Sequence, residues 1–231
     1  MVHFGFGHTI NVKKGQKLNP IIAEIKVHSP MHGDMLGKRD PMDVLGIYES
    51  CDVAGISYIT AGEFNGDASL LRKICSSTDL PVLRKDFIMT ASDVEETSSL
   101  GARGILLIAR MLKGRTPEFV ELALEHGLEP LVEVHSYDDI QYANASGTKM
   151  VAINNRDITM FEKDRGNVEV TERLHHFIDK KRMLVSASGI ETLNDLKRAM
   201  SISDAALVGT AFMQAVDIEG IVRSFVGGQR C

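Results

Sequence analysis

The chain has 231 residues, 44% of them hydrophobic and 25% charged, with a formal net charge of −5. Those are globular proportions, and the length suits one large domain, such as a single α/β barrel, or two small ones. An acidic balance without any dense basic block argues against nucleic acid as the main partner, and no apolar run is long enough to span a membrane.

Cys51, Cys75 and Cys231 are scattered, odd in number and without metal-ligand spacing. They read as reduced thiols of a cytoplasmic protein. The segment Met1 to Gly15 lacks the apolar core and cleavage site of an export signal.

Residues 1–19 are polar and glycine-containing and show no periodicity, so they are taken as a short N-terminal extension. From Pro20 the pattern becomes regular. Ile21 to Val27 reads as a strand and Val27 to Pro41 as a long loop holding Gly33 and Gly37. Helical spacing then covers Pro41 to Ala54, with Asp40-Pro41 as cap and first-turn pair. Ile56 to Ala61 is a strand and Asp67 to Ser77 a helix. The strand after Pro81 ends in Arg84-Lys85-Asp86, and Thr90 to Leu100 is a helix stopped by Gly101.

The alternation continues. Gly104 to Ala109 is a strand, and Thr116 to His126 a helix ended by Gly127. Glu129 to Val134 is a strand, Ser136 to Ala145 a helix and Met150 to Asn154 a strand. A loop runs on to Gly166, followed by a helix from Asn167 to Asp179. Met183 to Ala187 is a strand, Thr192 to Met200 a helix and Ala205 to Val208 the last strand. Ala211 to Val226 is mostly helix.

This makes eight strands, each followed by a helix. The strands are short and almost continuously apolar, as strands covered on both faces are. Strict alternation with right-handed crossovers makes the sheet parallel. Eight units in this length, with no Gly-rich dinucleotide fingerprint after the first strand, favour a closed (β/α)8 TIM barrel over an open sheet. The expected organisation is the extension at 1–19 and one barrel over 20–231.

The active site of such a barrel lies at the C-terminal ends of its strands. Those ends carry Glu24, Lys26, Lys85, Glu133, Asn154 and Arg156. Glu24 and Lys26 alternate with apolar neighbours, so both face the barrel interior. A lysine at a strand tip is partly desolvated, so its charge must be matched or its pKa falls. Lysines and carboxylates converging in one mouth can supply acid and base roles, against the plainer reading of ion pairs that cap the barrel. The last two strand ends differ in kind. Ser186 to Ile190 and Val208 to Thr210 are small, glycine-containing turns that open into helices and suit a phosphate.

From Pro20 to Phe225 these residues resemble the indole-3-glycerol-phosphate synthase family, the ring-closing decarboxylases of tryptophan biosynthesis. The resemblance rests on Ile22-Ala23-Glu24-Ile25-Lys26 with Ser29-Pro30, on Glu63-Phe64-Asn65-Gly66 and on Leu83-Arg84-Lys85-Asp86-Phe87. It continues through Glu129 to Val134, Ile153 to Asp157, Ser188-Gly189-Ile190 and Val208-Gly209-Thr210.

The resemblance implies the substrate 1-(2-carboxyphenylamino)-1-deoxyribulose 5-phosphate, with no metal or organic cofactor. It implies Lys85 as general acid at the ribulose carbonyl and Glu133 in the later proton transfers. Lys26 would hold the anionic substrate or share the acid role, and Glu24 and Asn154 would orient substrate and neighbouring side chains. Arg156 would add positive charge, and Ser188, Gly189, Gly209 and Thr210 would cradle the phosphate, with Ser29 also assigned to substrate binding. Association with other tryptophan-pathway enzymes is a further expectation.

The chain departs from the family pattern in three places. Ala187 stands where the family usually has a glutamate close to the strand-1 lysine, so Lys26 is expected to lose a carboxylate partner. The first loop reads His28-Ser29-Pro30-Met31, and the extension that in the family helps close the mouth is short here. The competing expectations are a diverged member acting on another sugar phosphate and a barrel that binds a phosphorylated ligand without turnover.

Overall fold

In the computed structural model, which describes residues 4–156 and 166–227, eight parallel strands close into a barrel. They are β1 (Ile21–Ile25), β2 (Gly55–Ile59), β3 (Val82–Lys85), β4 (Gly104–Ile108), β5 (Glu129–Val134), β6 (Met150–Asn154), β7 (Met183–Ala187) and β8 (Ala205–Val208). Each strand pairs with its neighbours in sequence, and β8 closes on β1 through Ile21 opposite Ala206 and Ala23 opposite Val208. This is the (β/α)8 barrel expected from the alternation. No described helix is long and apolar enough to cross a membrane.

Alternation along the strands divides the core into an inside and an outside. Ile22, Leu83, Leu106, Leu131, Ala152, Val185 and Leu207 fill the barrel interior in one buried cluster. Ile21, Ala23, Ile25, Ile56 and Tyr58 pack outward in a second cluster with Val44, Tyr48, Leu71 and Phe225 of the surrounding helices. A third holds Ile105, Leu107, Val132, Val151 and Ile153 against Phe119, Val120 and Ile140. With both faces covered, the strands carry near-continuous apolar runs.

The helices begin where the sequence supplies caps. Asp40 accepts from the Met42 N–H at 2.8 Å, and Asp67 from the Ser69 N–H at 2.7 Å. Thr90 with Asp93, Ser136 with Asp139 and Thr192 with Asp195 form reciprocal capping boxes. Cys51 is buried and Cys75 half-buried, both unbridged, and burial pushes the Cys75 thiol up to about 11. Cys231 and most of the predicted loop from Asn154 to Gly166 lie outside the described residues.

The extension holds an element that was not expected, a helix over Phe6–Gly15. Phe6 and Ile10, one turn apart, are fully buried and belong to the interior cluster. Phe6 enters the barrel at the N-terminal ends of its strands. A Cβ on Gly55 or Gly104 would lie 2.5 Å or 2.8 Å from its ring, so both positions need glycine for the ring to fit. Lys13 pairs with Asp52 and Lys14 with Asp204, tying the helix to the base of the barrel. This helix plugs the end opposite the mouth.

Candidate active site

At the C-terminal ends, the inward side chains change from apolar to charged. Glu24, Lys26, Glu133, Asn154 and Arg156 are all buried, and Lys85 is half-buried. Glu24 sits between the two lysines. Its Oε2 lies 2.9 Å from Lys85 Nζ and its Oε1 3.5 Å from Lys26 Nζ. Lys26 is without the strand-7 carboxylate, as Ala187 implies, but Glu24, two residues earlier, supplies another. Lys26 Nζ also donates to Thr210 Oγ1 at 3.3 Å and stands 5.8 Å from the centre of the Phe64 ring.

Glu133 is in a different state from Glu24. Burial pushes its carboxyl up from the usual range, and the Glu24 charge adds to the rise. Lys85, a hydrogen bond with Asn154 and His135 oppose it without cancelling it. Two carboxylates of one mouth thus differ in setting: Glu24 is paired with two lysines, while burial pushes the Glu133 carboxyl up. That difference provides both a counter-ion and an acid–base group.

Lys85 is held from behind by its neighbours in sequence. Arg84 points away from the mouth, donating to Thr60 Oγ1 at 2.9 Å, to Thr97 Oγ1 at 3.1 Å and to Asp86 Oδ2 at 3.1 Å. The Thr60 N–H donates to the Lys85 carbonyl at 2.9 Å. The strand tip is fixed on both sides of the lysine.

A cleft at the ends of β1, β7 and β8 is lined by Glu24, Lys26, Arg156, Ser188, Gly189, Gly209 and Thr210. It gathers four of the small-turn residues beside two cations. Ser188 (φ 63°) and Gly189 (φ 65°) are both left-handed, and a Cβ on Gly189 would meet the Gly166 carbonyl oxygen at 2.6 Å. Gly209 packs on Glu24, where a Cβ would lie 2.5 Å from Oε1. Arg156 pairs with Glu191 at 3.2 Å. Ser29 stands apart from this cleft, in a two-stranded hairpin of His28–Ser29 with Gly33–Asp34, where its Oγ accepts from the Met31 and His32 N–H groups at 3.3 Å and 3.4 Å.

A second cavity opens at the ends of β4, β5 and β6, lined by Ile108, Arg110, Glu133, His135, Asp139, Asn154 and Arg156. Sequence reasoning overlooked Arg110, His135 and Asp139. The available signal for His135 was its place one residue past the end of the strand that carries Glu133. Among the described residues, no group of three or more His, Cys, Asp or Glu is arranged to hold a metal ion.

The family model for indole-3-glycerol phosphate synthase matches residues 5–225. The chain belongs to that family. An indole-3-glycerol phosphate synthase of Pyrococcus abyssi is 48% identical over 227 residues, 98% of this chain and 99% of the relative. Its counterpart from Pyrococcus furiosus is 49% identical, with 98% of each chain covered. A tryptophan biosynthesis protein TrpCD of Archaeoglobus fulgidus is 46% identical over 100% of this chain, which spans 41% of that longer protein. A solved structure from Aquifex aeolicus shares the fold, with a TM-score of 0.68 at 12% identity over 99% of this chain and 100% of that one. The family is one of carboxy-lyases of tryptophan biosynthesis.

Proposed function

We propose that the chain closes the indole ring of 1-(2-carboxyphenylamino)-1-deoxyribulose 5-phosphate, releasing carbon dioxide and water to leave indole-3-glycerol phosphate, and that Lys85 and Glu133 move the protons. Lys85 gives a proton to the ribulose carbonyl oxygen as the ring carbon bearing the carboxylate attacks the carbonyl carbon. The carboxylate then leaves as carbon dioxide, returning its electron pair to the ring. Glu133 assists the proton transfers by which the new hydroxyl departs as water.

One observation carries this reading most directly: Lys85, paired with Glu24, and Glu133, its carboxyl pushed up by burial, converge over the same barrel interior. Glu24 Oε2 accepts a hydrogen bond from Lys85 Nζ at 2.9 Å and so holds the amine assigned as general acid in the mouth. The raised Glu133 carboxyl suits a group that must both accept and release a proton during the reaction. Lys26 and Arg156 supply charge for an anionic substrate, and the Ser188-Gly189 and Gly209-Thr210 turns take its phosphate. Ser29 orders the loop that leads from Lys26 toward the rim, through the two N–H groups it accepts from.

On this reading the chain works in the cytoplasm on a soluble phosphorylated substrate. The longer TrpCD relative supports association of the activity with other steps of tryptophan biosynthesis. The test is fluorescence detection of indole-3-glycerol phosphate from purified protein and the carboxyphenylamino substrate. Turnover is expected, with a fall of roughly 10²–10⁴-fold in a Lys85→Ala protein that keeps the folded barrel. No product from well-folded protein, or near wild-type kinetics in Lys85→Ala, would refute the assignment.

A further inference from the structure

His135 lies one residue past the end of β5, and its side chain lines the second cavity together with that of Glu133. The ring Nδ1 of His135 lies 2.8 Å from the main-chain carbonyl oxygen of Asn154. A carbonyl only accepts, so Nδ1 carries a hydrogen and donates it. The imidazole then gains or loses its charge at Nε2. Asn154 is the residue whose side chain bonds Glu133, so it is gripped by His135 through its main chain while it holds Glu133 through its amide.

The histidine is itself fixed. Its main-chain N–H donates to Asp139 Oδ2 at 3.0 Å, and Asp139 is buried within the capping box of the helix Tyr137–Ala145. Arg110 Nε approaches the same carboxylate oxygen at 3.5 Å.

We propose that His135 is a positioning residue for the ring-closing reaction, steadying Asn154 with its Nδ1–H and placing a titratable positive charge beside Glu133. This role rests on the proton transfers assigned to Glu133 above. Glu133 is met by Lys85 from β3, Glu24 from β1, Asn154 from β6 and His135 from the turn just after β5, while Arg110, Asp139 and Arg156 line the same cavity. Among these groups the imidazole is the one that ordinarily changes charge between pH 5 and 8. When it is cationic it favours the ionised carboxylate and opposes the effect of burial. Without it, Glu133 keeps its proton to higher pH.

Two variants separate the parts of the role. His135→Asn retains a donor near the place of Nδ1 but never charges; His135→Leu loses both donor and charge. Two readouts serve: the pH profile of kcat, and the carboxyl ¹³C titration of Glu133 in the unliganded protein, assigned with Glu133→Gln. In His135→Asn the Glu133 midpoint and the acid limb of kcat are both expected to move up, with KM near wild type. His135→Leu is expected to show the same shift plus a fall in kcat of roughly tenfold. Folded variants whose Glu133 midpoint and acid limb stay in place overturn the proposal, even if kcat falls, because a merely structural histidine would behave that way. A midpoint that moves in a protein with no turnover supports the coupling of His135 to Glu133 and refutes the reaction assigned to the site.

Discussion

Truncating Phe6 separates the two ends of the barrel. The ring is 1% exposed and lies against Gly55 and Gly104, and Ile10 beside it on the helix is 0% exposed. Phe6→Ala leaves a cavity inside the barrel base, and glycine neighbours have no side chains to fill it. Loss of a fully buried phenylalanine costs about 3–5 kcal/mol. In a chain of this size each kcal/mol is worth about 2–4 °C in Tm, so the expected fall is about 6–20 °C. Gly55 and Gly104 stand level with Ile22 and Leu83, two residues below Glu24 and Lys85, so a layer of apolar side chains roughly 7 Å deep along the strands separates the ring from the charged mouth. Well below the new Tm, kcat and KM are therefore expected to match wild type. Thermal unfolding by circular dichroism and steady-state kinetics at 25 °C measure the two. The reasoning is wrong if Tm falls by less than about 2 °C, or if KM rises while Tm holds, since the helix would then be serving the mouth.

Two further substitutions probe the carboxylates. Because burial raises the Glu133 carboxyl above its unfolded value, the native state binds the extra proton, and stability falls as pH rises from the ordinary carboxylate range through the raised folded value. Glu133→Gln should abolish most turnover and yet melt above wild type at pH 7, with the gain gone below about pH 4; a lower Tm at pH 7 would contradict that sign. Ala187→Glu adds a carboxylate on the inward face between Asn154 and Leu207, its register partners. A third negative charge beside Glu24 and Glu133 should alter kcat or move its pH profile, and identical profiles would show that this position is electrically remote from the reaction.

Most of the fold was legible because parallel strands buried on both faces have short, continuous apolar runs with sharp ends. Glu129–Val134, Met150–Asn154, Met183–Ala187 and Ala205–Val208 form as the pattern predicts. Helix starts were readable where Asp40, Asp67 and Thr90 cap them. Helix ends were less so. The segment predicted as helical from Asn167 to Asp179 is a helix only over Glu169–Leu174 and tightens into a 3-10 turn at His175–Phe177, with no glycine to mark the change. The final predicted helix is interrupted after Gln214, where Ala215 is extended (ψ 141°), and resumes at Ile218. The helix at Phe6 escaped notice because it buries few side chains, Phe6 and Ile10 chief among them, too few to show a period in ten residues. The hairpin after β1 has two residues in each strand, which is below any periodic signal.

The site was legible to the extent that strand ends were. Glu24, Lys26, Lys85, Glu133 and Asn154 follow from alternation and position alone, whereas the contacts among them depend on which strands become neighbours across the interior. Ala187 illustrates the difference. In the sequence it reads as a missing partner for Lys26, because family resemblance is read one position at a time. In the barrel, β1 sends Glu24 and Lys26 to the same face, and Glu24 reaches both Lys26 and Lys85 with separate oxygens. Buried charge is tolerated only when it is matched in place, wherever along the chain the matching group comes from. A substitution on β7 can thus leave the lysine on β1 with a carboxylate contact, and the residue to watch for loss of the site is Glu24. Gly209 beside it must remain without a side chain for that carboxylate to hold its place.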